Sequence, residues 1–190
     1  MTSAAEVASE GESLPDYLRE NLRVVSIGLN PSIISARAGF YFANPRNRFW
    51  RALNASGLVP EPLTPGVAAQ ETLFRRYGIG FTDLVKGATR GGAELRTADY
   101  REGAPLLAEK LHRHRPRIAW FHGKIAYGEF LKYTTGSTPP RIDWGMQPAR
   151  IGAARAFVTP NPSPANASFS LAVLTEWYRA LAQAIPPCDF

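Results

Sequence analysis

The chain has 190 residues, of which 45% are hydrophobic, so it is long enough for one domain with a buried core. Its apolar runs all fall well short of 18 residues, so we expect no transmembrane helix. Its first residues are small and acidic and lack the basic and apolar stretches of a secretory signal peptide, so we expect none. Its single cysteine, Cys188, excludes an intrachain disulfide and a cysteine-based metal site. We therefore expect a cytoplasmic protein without a bound metal.

The net charge is +6 and the isoelectric point is near 9.8, with most of the basic residues being arginine. A basic domain is typical of a protein that binds a phosphate backbone. An arginine-rich composition also arises from a GC-rich genome, so the charge alone only favours nucleic acid as a partner.

Strand and helix patterns alternate along the chain. Residues 1–20 predict a flexible tail, and residues 21–190 a single domain. Short β-branched or aromatic runs that end at glycine or proline predict buried strands at 23–28, 118–123 and 156–160. Helical spacing of apolar residues predicts helices at 49–55, 98–114, 124–133 and 170–185. This alternation indicates an α/β domain with a mostly parallel sheet.

Two of these strands are followed by the same three residues. Asn30 begins Asn-Pro-Ser after the first strand, and Asn161 begins it after the last. Proline holds the preceding residue extended, so each loop is a stiff turn that projects an amide side chain. Asn-Pro is also a common turn initiator, and one copy would be weak evidence. Because ligands of such sheets bind beyond the carboxyl ends of the strands, we expect both loops to reach one cleft.

A segment rich in aromatic and basic residues follows the first loop, at residues 39–50. It offers aromatic faces for stacking on a base, Arg46 and Arg48 for phosphates, and amides for base edges. Phe49 and Trp50 begin a helix and are expected in the core. Phe42 is therefore the better candidate for stacking on an extruded base.

The ordered motifs resemble those of the mismatch-specific uracil/thymine-DNA glycosylases, within the uracil-DNA glycosylase superfamily. The resemblance rests on Gly-Leu-Asn-Pro-Ser at 28–32, Gly-Phe-Tyr-Phe-Ala-Asn-Pro-Arg-Asn-Arg-Phe-Trp at 39–50, and Tyr-Gly-Ile-Gly-Phe-Thr-Asp-Leu-Val at 77–85. Gly-Lys-Ile-Ala-Tyr at 123–127, Trp-Gly at 144–145 and Asn-Pro-Ser at 161–163 follow in the expected order. The match spans nearly the whole globular part and implies a three-layer αβα sandwich with a short central sheet.

The resemblance also implies roles for individual residues. Asn30 would position the attacking water, and Phe42 would stack on the flipped base. The base would lie against the first motif and the serine five residues after its asparagine, which implicates Gly28, Leu29, Ser32 and Ser35. The late loop, residues 161–166 after the last predicted strand, would insert into the duplex, and its wedge at 163–166 would fill the gap that the base leaves. The DNA contacts would be Arg46, Asn47, Lys124, Asn161, Pro162, Ser163, Pro164, Ala165 and Asn166.

Two positions depart from the family pattern. Ser32 replaces the usual glycine of the first motif, and its side chain would narrow the space around C5 of a pyrimidine, which disfavours thymine. Asp83 is an acidic residue at a position that is often not acidic in the family, and it lies near an expected strand end. Its carboxylate could activate water, or it could cap a helix or pair with an arginine.

These observations predict a monofunctional glycosylase that flips uracil out of DNA and hydrolyses its N-glycosidic bond without a cofactor. We expect a monomer that binds DNA and no membrane, associated with a bacterial-type nucleoid. A non-catalytic DNA-binding module of the same fold is the alternative. An unrelated nucleotide enzyme ranks last, because neither G-x-G-x-x-G nor G-x-x-x-x-G-K-[ST] occurs. The range of bases, the DNA context and the choice of Asn30 or Asp83 for water activation stay open.

Overall fold

A computed structural model describes residues 12–185 of the chain. The strands are β1 Val24–Gly28, β2 Ile79–Asp83, β3 Ile118–His122, β4 Gly145–Ile151 and β5 Ala154–Thr159. The helices are α1 Ile33–Ala38, α2 Phe49–Ser56, α3 Val67–Arg75, α4 Thr97–His114, α5 Lys124–Thr135 and α6 Leu171–Ala184, with a 3₁₀ turn at Gly92–Glu94. None of the helices in this part of the chain is long and apolar enough to cross a membrane.

The five strands form one sheet in the order β2-β1-β3-β5-β4. β1 pairs in parallel with both β2 and β3, and β3 pairs in parallel with β5. β4 is antiparallel to β5, to which a tight turn joins it. Since four of the five strands run the same way, their carboxyl ends meet at one edge of the sheet, which is where ligands bind in such folds.

Alternate residues of each strand point to opposite faces of the sheet, and each face has its own hydrophobic core. Val24, Ile118 and Trp120 pack with helices α2, α3 and α6 on one face. Val25 and Phe121 pack with helices α4 and α5 on the other. This arrangement confirms the predicted αβα sandwich with a short, mostly parallel sheet.

The predicted strands and helices are present with shifts of a few residues at their ends. Helices α1 and α3 and strand β4 were not predicted, and of β2 only its end near Asp83 was expected. Helix α1 has only six residues, too few to show a helical period. Strand β4 contains Pro148 and three consecutive exposed residues, so its sequence does not alternate as a strand usually does.

The N-terminal segment from residue 12 packs on the sheet. Tyr17 exchanges two backbone hydrogen bonds with Phe81, with N···O distances of 2.8 and 3.1 Å. Leu14 is only 2% exposed. The prediction of a flexible tail over residues 1–20 is therefore wrong for residues 12–20, because this segment binds the free edge of β2; residues 1–11 lie outside the described residues. The acidic and polar composition of the segment concealed the few side chains that anchor it.

Candidate active site

The carboxyl ends of β1, β2, β3 and β5 surround one cavity of about 460 Å³, a volume typical of small-molecule sites. Both Asn-Pro-Ser loops line this cavity, as expected from the parallel topology. The predicted residues that line it are Gly28, Leu29, Asn30, Ser32, Ser35, Phe42, Asn47, Asp83, Lys124, Asn161, Ser163, Ala165 and Asn166. The predicted residues Arg46, Pro162 and Pro164 are not among the lining residues.

The loops that follow β1 and β2 are joined beyond the sheet. The Leu84 amide donates to the Gly28 carbonyl at 2.9 Å, directly after the Gly28–Asp83 pair of the β1–β2 register. Farther out, Thr89 donates to the Pro31 carbonyl, and Ile33 donates to the Thr89 carbonyl, both at 3.1 Å. These bonds hold the loop of Asn30 and the loop after Asp83 in a fixed mutual position.

The Asn30 side chain is oriented by three acceptors. Its Nδ2 lies 2.7 Å from Thr89 Oγ1, 3.0 Å from the Gly87 carbonyl and 3.1 Å from the Pro31 carbonyl. Because acceptors surround this end of the amide, it must be the nitrogen. The hydrogen bonds that Asn30 makes within residues 12–185 therefore use Nδ2, and Oδ1 is the atom that can accept a hydrogen bond from water.

Asp83 is the last residue of β2, and its carboxyl group is buried, with 3% of the residue exposed. It lies over the backbone of Gly28, where an added Cβ would overlap Oδ1, so glycine is needed there for space. Burial raises the pKa of Asp83 to about 7, because the loss of hydration outweighs the positive charge of Lys86. A carboxyl group with this pKa can both take up and release a proton near neutral pH.

The position of Asp83 fits neither a helix cap nor an ion pair with an arginine. Asp83 ends a strand and caps no helix, and its ion-pair partner is Lys86 rather than an arginine, with 3.9 Å between Nζ and Oδ2. Within the described residues, Oδ2 is buried without a hydrogen-bond partner. A buried acceptor in this condition is characteristic of a group that binds a ligand or water.

Phe42 lies on the cavity wall in a left-handed backbone conformation, with φ of 59°. Its ring stacks on Phe49, with 4.1 Å between centroids and an interplanar angle of 14°. The edge-on ring of His122 lies at 5.0 Å. Phe49 and Trp50 are buried, as predicted. A half-buried ring supported from behind in this way is suited to stacking on a planar ligand.

The hydroxyl group of Ser32 caps helix α1 by accepting a hydrogen bond from the Ser35 amide at 3.1 Å. It also donates to Ser35 Oγ at 3.0 Å, and Ser35 Oγ accepts from the Ala43 amide at 3.1 Å. Both serines thus tie the loop after β1 to the segment that carries Phe42. The cap holds the Ser32 side chain in place at the cavity wall.

Arg48 holds the late loop. Its Nη2 donates to the carbonyls of Ser163 and Asn166 at 2.8 and 2.7 Å. Its Nε donates to the Pro162 carbonyl at 3.3 Å, and Nη1 donates to the Phe169 carbonyl. The expectation that Arg48 binds phosphate is therefore wrong, because its donors are used by the backbone of this loop.

The other predicted DNA contacts differ in exposure. Arg46 is exposed, whereas Pro162 is buried, so a DNA contact at Pro162 does not fit the structure. Lys124 lies over the ring of Trp144, with 4.4 Å between Nζ and the centroid. Asn166 Nδ2 donates to the Asn161 carbonyl at 2.9 Å, which closes the late loop on itself.

Comparison with known proteins agrees with this geometry. The family model described as the uracil DNA glycosylase superfamily matches residues 15–182. The chain belongs to the uracil DNA glycosylase superfamily. It is 36% identical over 161 residues to a G/U mismatch-specific uracil DNA glycosylase from Schizosaccharomyces pombe, a match that covers 84% of this chain and 49% of the relative. The chain thus spans about half the length of this curated relative.

The fold is also found among solved structures. A solution NMR structure of a uracil DNA glycosylase candidate from Methanosarcina acetivorans superposes with a TM-score of 0.56 at 24% identity. The match covers 91% of this chain and 99% of that chain, which supports the superfamily fold over the whole domain. The family and the fold predicted from the motifs are both confirmed.

Several lining residues of this superfamily member were not predicted from sequence. They are Leu14, Pro31, Tyr41, Thr89, Arg90, Gly91, Gly92, Gly123, Ile125, Ala126, Trp144 and Phe169, whereas His122 could be expected near the cavity because it ends a predicted strand. Trp144 belongs to a motif that carried the resemblance, so its position could have been inferred. Leu14 was assigned to the tail, and the 89–92 loop carries no chemical signature that separates it from an ordinary turn.

His122 lies at the end of β3 and is neutral. Its Nε2 is 2.8 Å from Ser26 Oγ, and burial lowers its pKa to about 3. A neutral, buried imidazole supplies no positive charge to the cavity. In the described part of the chain, no group of three or more His, Cys, Asp or Glu side chains could hold a metal ion.

Proposed function

We propose that this protein is a monofunctional DNA glycosylase that binds uracil flipped out of DNA and hydrolyses its N-glycosidic bond. The proposal rests on one observation, that Asp83 and Asn30 both line the same cavity in a chain of the uracil DNA glycosylase superfamily. One group is a buried carboxyl with an unpartnered oxygen, and the other is an amide oriented by three acceptors.

In the proposed reaction a water molecule attacks C1′ of the deoxyribose as the C1′–N1 bond breaks. The bonding electrons leave with the base, and the Asp83 carboxylate accepts a proton from the water. Asn30 accepts a hydrogen bond from the same water through Oδ1 and thereby orients it. The base leaves as an anion that takes a proton from solvent, and Asp83 releases to solvent the proton that it accepted. The products are the free base and an abasic sugar, and the balance requires no oxidant, metal or other cofactor.

Phe42 supplies the platform for the extruded base. Its ring is held by Phe49 from behind and would stack on the face of a pyrimidine. Ser32 and Ser35 lie on the same cavity and are fixed by the α1 cap. Because the Ser32 side chain occupies space that a glycine would leave open, we expect uracil to be preferred over thymine.

The late loop is the proposed wedge that fills the gap in the duplex. Arg48 holds its carbonyls, and the exposed Ala165 lies at its outer side, next to Ser163 and Asn166. Arg46 and Lys124 are the proposed phosphate contacts, and the net charge of +6 favours DNA as the partner. We propose that one copy of the chain suffices for the reaction.

The test is an excision assay on labelled oligonucleotides that contain uracil opposite guanine, opposite adenine or in a single strand, with EDTA present. We expect abasic sites that alkali converts into strand breaks. Asp83→Asn and Asn30→Ala should reduce the single-turnover rate by at least about 100-fold and 10-fold respectively. Lys132→Met, a change on the exposed side of α5, is the matched control and should be as active as the unsubstituted protein.

Purified protein that leaves all three substrates intact would overturn the proposed function. Excision that survives both Asp83→Asn and Asn30→Ala would instead overturn the assignment of the site. Thymine, hypoxanthine, xanthine and ethenocytosine, tested in the same oligonucleotide, measure the range of bases.

A further inference from the structure

Asp83 is backed by a cluster of charged side chains that the proposed reaction does not use. The N-terminal segment contributes Asp16, whose Oδ1 accepts from Lys86 Nζ at 2.8 Å and from Thr82 Oγ1 at 2.7 Å. Asp16 Oδ2 lies 2.6 Å from Lys110 Nζ. Asp16 is thus bracketed by two ammonium groups, and one of them, Lys86, is also the ion-pair partner of Asp83.

Lys86 is shared unequally between the two carboxylates. Its Nζ is 2.8 Å from Asp16 but 3.9 Å from Asp83 Oδ2, which is too far for a hydrogen bond. Lys86 Nζ also donates to the Tyr41 hydroxyl at 3.3 Å, which adds a second fixed contact to the ammonium. Lys86 therefore acts on Asp83 as a nearby charge and leaves its Oδ2 without a bonded partner.

A second cavity, of about 210 Å³, is lined by Asp83 and Lys86 together with Lys110 and other residues of helix α4. Asp83 lines both cavities. The titratable groups that face Asp83 or line this second cavity with it are Asp16, Tyr41, Lys86, Asp99, Glu102 and Lys110. Lys86 is the cation nearest to the carboxyl group within the described residues.

We propose that Lys86 is a positioning residue for Asp83, held by Asp16 at a distance that leaves the catalytic carboxyl free to exchange its proton. This inference rests on the proposed function, in which Asp83 accepts the proton of the attacking water. A direct ion pair would stabilise the carboxylate and weaken it as a base, whereas loss of the ammonium would keep the buried group protonated. The intermediate distance avoids both outcomes.

The proposal predicts opposite effects for two side chains that contact each other. Lys86→Met removes the positive charge, so the acidic limb of the pH–rate profile should move up by about one pH unit. Asp16→Asn removes a negative charge and frees Lys86 to pair directly with Asp83, so the limb should move down by a similar amount. General structural damage would lower both rates without moving the two midpoints in opposite directions.

The experiment measures single-turnover excision of uracil from pH 5 to pH 9 with the full chain. Lys86→Arg keeps the charge and should keep the midpoint of the unsubstituted protein, and Lys132→Met is the surface control. Thermal melting of each variant shows which of them fold. If Asp16→Asn does not fold, the contrast between Lys86→Met and Lys86→Arg still decides the question.

If the unsubstituted protein excises uracil but Lys86→Met leaves the midpoint of the acidic limb unmoved, this inference is overturned while the proposed function stands. The same holds if Lys86→Met and Lys86→Arg move the midpoint equally. A complete lack of excision by the unsubstituted protein would overturn the proposed function, and the inference with it. A midpoint that rises in Lys86→Met and is restored in Lys86→Arg would support both.

Discussion

Replacement of Asp83 by Asn should stabilise the folded protein at alkaline pH while it removes excision. Burial raises the pKa of Asp83 to about 7, whereas the unfolded chain titrates at about 4. Between these values the folded state holds a proton that the unfolded state has released. Stability is therefore lost as the pH rises through this window, and above pH 7 the full cost of the buried carboxylate is present.

The size of the effect follows from the difference in pKa. About three pKa units correspond to roughly 4 kcal/mol at pH 8 and about 1.5 kcal/mol at pH 5. A neutral amide of the same shape avoids this cost at both pH values. The free energy of unfolding of Asp83→Asn relative to the unsubstituted protein should thus increase by about 2–3 kcal/mol from pH 5 to pH 8.

Urea denaturation of both proteins at pH 5 and pH 8 measures this difference, and the excision rate is followed on the same samples. Asp143→Asn is the matched control, because the Asp143 carboxylate is exposed. Equal differences at the two pH values, or an Asp83→Asn protein that is less stable than the original at pH 8, would refute the argument from burial.

Three further predictions concern the remaining parts of the site. Gly28→Ala should displace the Asp83 carboxyl group, which its Cβ would overlap, and lower the excision rate at least about 10-fold with little change in circular dichroism. Arg48→Ala leaves the late-loop carbonyls without donors, so uracil excision from duplex DNA should fall about 10-fold or more. Excision from a single strand needs no wedge and should change less, and equal losses on both substrates would contradict this. Phe42→Ala removes the stacking platform in front of Phe49 and should weaken binding of uracil-containing DNA by about 1–3 kcal/mol, measured with an inactive Asp83→Asn background.

The family, the parallel sheet and one edge of the sheet as the site could be predicted from sequence, since they depend on local patterns. Glycine and proline after β-branched runs mark the ends of strands, and parallel strands bring those ends together. Asn30 was predicted from its place after a strand, and Phe42 from a segment rich in aromatic and basic residues. Asp83 was singled out as an acidic departure from the family pattern near an expected strand end.

The surroundings of Asp83 and Arg48 were established only by the tertiary structure. An acidic residue after a strand could cap a helix, pair with an arginine or lie buried, and these outcomes depend on neighbours far away in the chain. Asp16 and Lys110, which set the charges behind Asp83, lie 67 residues before and 27 residues after it. Arg48 was expected at the surface, but the backbone carbonyls that it binds belong to a loop more than 110 residues later.

The N-terminal segment shows most clearly that contacts between distant parts of the chain cannot be predicted from local sequence patterns. Its composition indicated a tail, yet Leu14 lines the cavity and Asp16 holds Lys86. Sequence patterns report whether a segment can form regular structure by itself, and this segment forms none. Its position comes from two backbone hydrogen bonds to the edge of β2 and from ion pairs with side chains of other elements, which exist only in the assembled fold.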